Sequence, residues 1–155
     1  MMSGEARATG WWALKLAAGG LLVALLAEHF LVGVLPAWPR PPLRLAQAVV
    51  VIGGLVTIGH YAALRRCNRC VARPAELVTR GGLFARVRHP MYLGDLLVYA
   101  GLALLAPGPA TLAALGVGAL AIVRQARLED RWLARRFGDT HARWRGHTRL
   151  LLPGL

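Results

Sequence analysis

Lysine is almost missing from this 155-residue chain: one of its nineteen basic residues is Lys and the rest are Arg, against only seven acidic residues. Cysteine is as scarce, and its two residues form the single motif Cys67-Asn68-Arg69-Cys70. Zinc needs two further ligands, none of which stands at finger spacing, and a thioredoxin-type couple needs a βαβ context that is lacking. No metal site is therefore expected, and the two thiols read as free. There is no internal repeat and no low-complexity tract. No small-residue cleavage site follows the first apolar run, which is too long for the core of a secretion signal, so the N-terminus reads as retained.

What is present is apolar. Hydrophobic residues make up 56% of the chain and mean hydropathy is +0.47. A net charge of +12 would suit nucleic acid on a soluble domain, but no soluble fold is written here to carry it. Fifteen of the nineteen basic residues fall in two segments, Arg65 to Arg88 and Arg124 to Arg149, each beside a long apolar run. That is the charge pattern of a membrane protein, and no nucleic-acid partner is expected. The Arg- and Ala-rich composition suggests a bacterial source, and hence the inner membrane.

Four apolar runs can be drawn: Trp11 to Leu35, Leu43 to Leu64, Met91 to Ala106 and Ala110 to Val123. The first two are long enough to cross roughly 30 Å of hydrocarbon. The last two extend only about 24 and 21 Å at the helical rise, and need snorkelling arginines, thinned bilayer or tertiary support. Ala106-Pro107-Gly108-Pro109 joins them as a tight turn, which predicts a short helical hairpin. The prolines from Pro36 to Pro42 separate the first pair, with Trp38 suited to the interface. The expected fold is thus all-α and membrane-integral: about four transmembrane helices plus a C-terminal interfacial helix, in one domain over residues 1–155. Residues 1–64 form the first two helices, and residues 65–155 the loop, hairpin and tail. An even number of spans puts both termini and the Arg65 to Arg88 loop on one side, which the arginines mark as cytoplasmic.

Polar residues interrupt the runs at Glu28, His29, Gln47, His60, Asp95 and Tyr99. A charge at mid-membrane costs about 2.5–3.5 kcal/mol on insertion scales, so these groups should face protein or a wet cavity. Glu28, His29 and His60 read as helix-end residues paired with one another or with Arg. Asp95, one turn into the third run, belongs with the site formed by the string before it. Glycines at 19, 20, 53, 54, 116 and 118 read as close-packing positions between helices.

That string is Val87-Arg88-His89-Pro90-Met91-Tyr92-Leu93-Gly94. Proline suits a first helical position and biases His89 out of the α region, so a helix should begin at the membrane surface. Its first N–H groups, on Met91 to Leu93, with Arg88 and His89 beside them, make an anion-receptive corner. The second charged segment continues as a helix from Arg124 to Phe137-Gly138, where the glycine suits a C-cap. On it, Glu129 has no basic neighbour at salt-bridge spacing, so an external cation would satisfy it. Asp130 has Arg127 three residues back and reads equally as a solvated ion pair. Trp144 and the arginines from Arg143 to Arg149 look like a basic interfacial segment. An anion receptor and an unpaired carboxylate together suit a zwitterionic ligand with a separate cationic centre. S-adenosylmethionine is one such molecule, although spacing alone does not identify it.

The stretch Leu77-Val78-Thr79, Gly82-Leu83-Phe84, Arg88-His89-Pro90-Met91-Tyr92 and Gly101 resembles the isoprenylcysteine carboxyl methyltransferases and their bacterial relatives, a broad group that includes the phospholipid N-methyltransferases. A second signature of that group, a glutamate pair, then Phe-Gly and two spaced aromatics, is similar to Glu129-Asp130, Phe137-Gly138, His141 and Trp144. The resemblance spans about half the chain. It implies that S-adenosylmethionine is held by Leu77, Val78, Phe84, His89, Pro90, Met91, Tyr92 and Glu129, with Arg88 in the same corner. It also implies a substrate-contacting arginine before the acidic pair, Arg124 or Arg127, so that the catalytic set is Glu129 with one of these two. The sequence departs from the pattern at Asp130, at His141 and Trp144, and in the extra glycine of Arg80-Gly81-Gly82.

The implied reaction is in-line displacement at a sulfonium methyl, by an acceptor entering from the bilayer while the cofactor enters from the cytosol. A carboxylate, amine or thiol, lipid-like or small, could receive the methyl, and Asp95, Asp130 or a histidine is the candidate base if the acceptor must lose a proton. Two alternatives remain open on the sequence: a membrane reductase of the sterol-reductase type, which requires NADPH, and a non-catalytic membrane protein retaining the fold.

Overall fold

The computed structural model describes residues 2–66 and 85–151. Four helices account for nearly all of them: α1 (Met2–Leu31), α2 (Leu43–Arg66), α3 (Pro90–Leu105) and α4 (Pro109–His147). Three are long and apolar enough to cross a membrane, over Thr9–Leu31, Leu43–Arg65 and within Pro109–His147, while α3 is the shorter apolar helix expected from its run. The protein is an all-helical membrane protein. The large side chains left outward on α2, among them Leu45, Val51, Ile52, Leu55 and Ile58, are the surface that lipid requires.

α1 stops at Leu31, four residues before its apolar run ends, because Gly33 takes a positive φ of 70°. Its N–H and that of Val32 donate to the Glu28 carbonyl at 2.8 and 2.9 Å, the pattern of a helix closed by an αL glycine. The Glu28 side chain finishes the cap: Oε1 accepts from the N–H groups of Val34 and Leu35 at 2.8 and 2.9 Å. Glu28 is thus a helix-end residue as its position suggested, but its partners are backbone rather than a side chain.

Beyond that cap, the Trp38 N–H donates to the Pro107 carbonyl at 2.8 Å, so the α1–α2 connection meets the α3–α4 turn at one end of the bundle. The start of α1, the end of α2, the start of α3 and the arginine-bearing part of α4 gather at the other end. α3 packs most extensively along α2, and α4 along α1. Glycine permits the first crossing. A Cβ on Gly53 would come 2.7 Å from the Gly94 carbonyl, and one on Gly101 would come 2.8 Å from the Val50 nitrogen. Gly19 and Gly118 make room for the Tyr99 ring, whereas Gly20, Gly54 and Gly116 face open space. Half of the six expected packing glycines therefore pack, and Gly94 and Gly101 of the motif join them.

One element differs in kind from expectation. The fourth apolar run and the C-terminal helix are continuous from Pro109 to Phe137, and Gly138 interrupts the helical backbone as its C-cap reading expected, so α4 is two helices meeting at a kink. With φ 48° and ψ −123°, Gly138 occupies backbone space that only glycine enters cheaply. Helical structure then resumes to His147. The kink turns the last helical turns back toward α3, where the chain after Thr148 runs as a short parallel bridge beside Val87.

Candidate functional site

Pro90 opens α3 at its first turn, and His89 stands just outside the helix at φ −122°. Both are buried. The Leu93 N–H is taken by the His89 carbonyl at 3.2 Å, leaving Met91 and Tyr92 as the residues whose N–H groups precede the first helical bond. The backbone of this corner is pinned by the tail: Arg88 N–H donates to the Arg149 carbonyl at 2.8 Å, Arg149 N–H to Arg86 at 3.0 Å, and His89 N–H to Leu150 at 3.2 Å.

Arg88 is not a free anion receptor. Its guanidinium is buried, with Nε donating to Asp130 Oδ1 at 2.8 Å and Nη1 to the Thr148 carbonyl at 2.7 Å. The same Asp130 oxygen lies 3.1 Å from His141 Nε2 and 3.7 Å from His89 Nε2. Asp130 is therefore no solvated partner of Arg127, but the hub that joins α3, both halves of α4 and the tail. Burial alone would raise its carboxyl pKa. The adjoining His89, Arg88 and His141 more than reverse this and hold it well below the ordinary carboxylate range.

Glu129 points elsewhere. Its carboxylate is 44% exposed, 3.6 Å from His89 Nδ1 and within interaction range of the Tyr92 hydroxyl, which Gln125 also approaches. The His89 and Tyr92 rings lie 5.7 Å apart between centroids. His89 Nε2 and Gln125 Oε1 are buried and have no hydrogen-bond partner among the described residues. The structure thus brings His89, Pro90, Tyr92 and Glu129 into one cluster, as the sequence expected. Met91 turns to α2, where its sulfur accepts from the Tyr61 hydroxyl at 3.3 Å. Arg124 lies over the Trp11 ring of α1 at 6.0 Å, and Arg127 joins a cleft of arginines on another side of α4. Leu77, Val78, Phe84 and the Cys67–Cys70 pair lie outside the described residues.

Sequence reasoning missed Lys15. The only lysine is buried within α1, and its Nζ lies 2.8 Å from Asp95 Oδ2 and 5.2 Å over the Tyr92 ring. The Tyr99 hydroxyl donates to its carbonyl at 2.6 Å. Asp95 thus reaches the cluster through Lys15 and the Tyr92 face. A single lysine in a 23-residue apolar span was the available signal, since such a charge needs a partner inside the bundle.

The fold is a helical membrane bundle with a polar cluster at the end where its arginines gather. The family model for phospholipid methyltransferases matches residues 43–140, and the chain belongs to that family. Fold and family together make it a membrane methyltransferase. The matched segment holds Arg88 to Gly101 and Glu129 to Gly138, while Lys15 and His141 fall outside it. No curated protein and no solved structure matches the chain.

Proposed function

We propose that the protein is an S-adenosylmethionine-dependent methyltransferase that methylates a lipophilic or small acceptor, a carboxylate, amine or thiol, at the cytoplasmic face of the membrane. The observation that carries this reading is the half-exposed Glu129 carboxylate, 3.6 Å from His89 Nδ1, beside the buried Gln125 Oε1, which has no hydrogen-bond partner among the described residues. Buried polar groups without partners are rare and call for a ligand or water. A carboxylate acceptor, an imidazole nitrogen and a carboxamide oxygen suit the ammonium and carboxylate of an amino-acid head, so the residues fit the cofactor.

When bound, the cofactor supplies a sulfonium methyl as electrophile. Glu129 holds the cationic head and is itself oriented by His89, whose ring is fixed by the backbone bonds of Arg88 and His89 to the tail. Tyr92 presents its hydroxyl to Glu129 and its face to Lys15, so its ring forms the wall between the site and the ion pair in the bundle. Because methyl transfer collapses charge, the residues chiefly position the reactants and exclude water. Arg124, the one of the two candidate arginines that lies outside the arginine cleft, orients an acidic acceptor.

Calorimetric titration of the detergent-purified chain with S-adenosylhomocysteine, with NADPH as the control ligand, tests the reading. Saturable binding of S-adenosylhomocysteine alone is expected. Binding of NADPH alone would transfer the site to a reductase.

A further inference from the structure

A second concave surface lies beside the candidate methyl-transfer site and plays no part in it. This cleft, of about 510 Å³, is lined by Arg127, Arg131, Arg145 and Arg149, with buried Arg88 and Asp130 behind them. Successive residues of an α-helix are turned by about 100°. On α4 this sends Arg127 and Arg131 out on one side of the buried Ala126–Asp130 line, and Gln125 and Glu129 on the other. The two sites share a wall and face different ways.

The convergence is built by the fold. On a straight helix Arg131 and Arg145 would stand about 21 Å apart along the axis, each solvated alone. The kink at Gly138 and the bonds tying Thr148, Arg149 and Leu150 to Arg88 and His89 fold the tail back, so all four side chains open on one cleft. All four residues are exposed. Among the described residues none of their guanidinium groups has a carboxylate within salt-bridge distance, because the only carboxylate of the cleft, Asp130, is engaged by Arg88 and His141. Like charges gathered in one concavity repel unless an anion joins them, and planar guanidinium forks match phosphate oxygens in pairs. The cleft also sits at the right depth: Arg127 follows the last residue of the apolar run, Val123, by only about 6 Å of helix.

We infer that this arginine cleft is a docking site for the phosphate of an anionic lipid headgroup, separate from the methyl-transfer site and independent of which acceptor that site uses.

The test is native mass spectrometry of the full chain in detergent, titrated with dihexanoyl phosphatidic acid, with dihexanoyl phosphatidylcholine, and with inorganic phosphate as a competitor. The inference expects a saturable single-lipid adduct with phosphatidic acid, favoured over phosphatidylcholine by about tenfold or more and little displaced by equimolar inorganic phosphate. Arg131→Ala/Arg145→Ala should abolish the preference. Should that variant not fold, Arg131→Lys/Arg145→Lys keeps the charge while removing the paired donors, and should still lower the preference. Equal binding of the two lipids, or an unchanged preference in both variants, would overturn the inference. Displacement by equimolar inorganic phosphate would overturn the lipid assignment and leave a free-phosphate site.

Discussion

Arg88 Nε lies 2.8 Å from Asp130 Oδ1 across 42 residues of sequence, and the same arginine donates to the Thr148 carbonyl. The pair fastens the start of α3 to the middle of α4 and to the tail. Removing one member of a buried pair leaves an uncompensated charge, at about 3–5 kcal/mol. Arg88→Ala and Asp130→Asn should each lower the thermal unfolding temperature in detergent markedly, and the double variant should lose less than the sum of the two. Strict additivity would show that the pair does not act as a unit.

The pH dependence follows from the same carboxyl. Its folded pKa is depressed, so the stability it contributes is fully present above the unfolded value of about 3.9 and fades as pH falls below it. The gap in unfolding temperature between the parent and Asp130→Asn should hold from neutral pH to about pH 5 and narrow toward about pH 3. A gap that widened on acidification would carry the wrong sign.

Lys15 and Asp95 form the ion pair inside the bundle, 80 residues apart in sequence and 2.8 Å in space. Either group alone is costly there. Lys15→Met and Asp95→Asn should each reduce the yield of folded protein, and combining them should restore part of the loss, with a coupling of about 1–3 kcal/mol. Unfolding curves of the four species in one detergent give that number directly.

Neighbouring glycines on α2 should behave oppositely. A methyl at Gly53 would meet the backbone of α3 at Gly94 and Val98, which cannot withdraw without opening the helix crossing, while Gly54 has nothing within 4 Å. Gly53→Ala should destabilise by about 1–3 kcal/mol, and Gly54→Ala should be neutral or mildly stabilising. Equal effects would mean that α2 and α3 do not cross at Gly53.

These relationships mark what the sequence could and could not disclose. The spans were legible because lipid demands long apolar runs, and the His89–Glu129 grouping because the resemblance to the methyltransferase family assigns both residues to one cofactor. The Arg88–Asp130 and Lys15–Asp95 pairs were not, since no periodicity relates residues that only packing brings together. Glu129 and Asp130 looked alike in sequence. One position of helical rotation sends the first to the open cluster and the second into the wall. Phe137-Gly138 carried a true signal, positive φ at the glycine, but whether a helix resumes after it depends on the tail's bonds to Arg88 and His89.

The most direct test of the account is calorimetric titration of S-adenosylhomocysteine into His89→Ala, Glu129→Gln and Arg124→Ala beside the parent, with membrane insertion checked for each. The account predicts that the first two weaken binding by about tenfold or more, roughly 1.4 kcal/mol, and that Arg124→Ala, stacked on Trp11 away from the cluster, binds as the parent does. Parent-like binding in both His89→Ala and Glu129→Gln would contradict it and place the cofactor elsewhere.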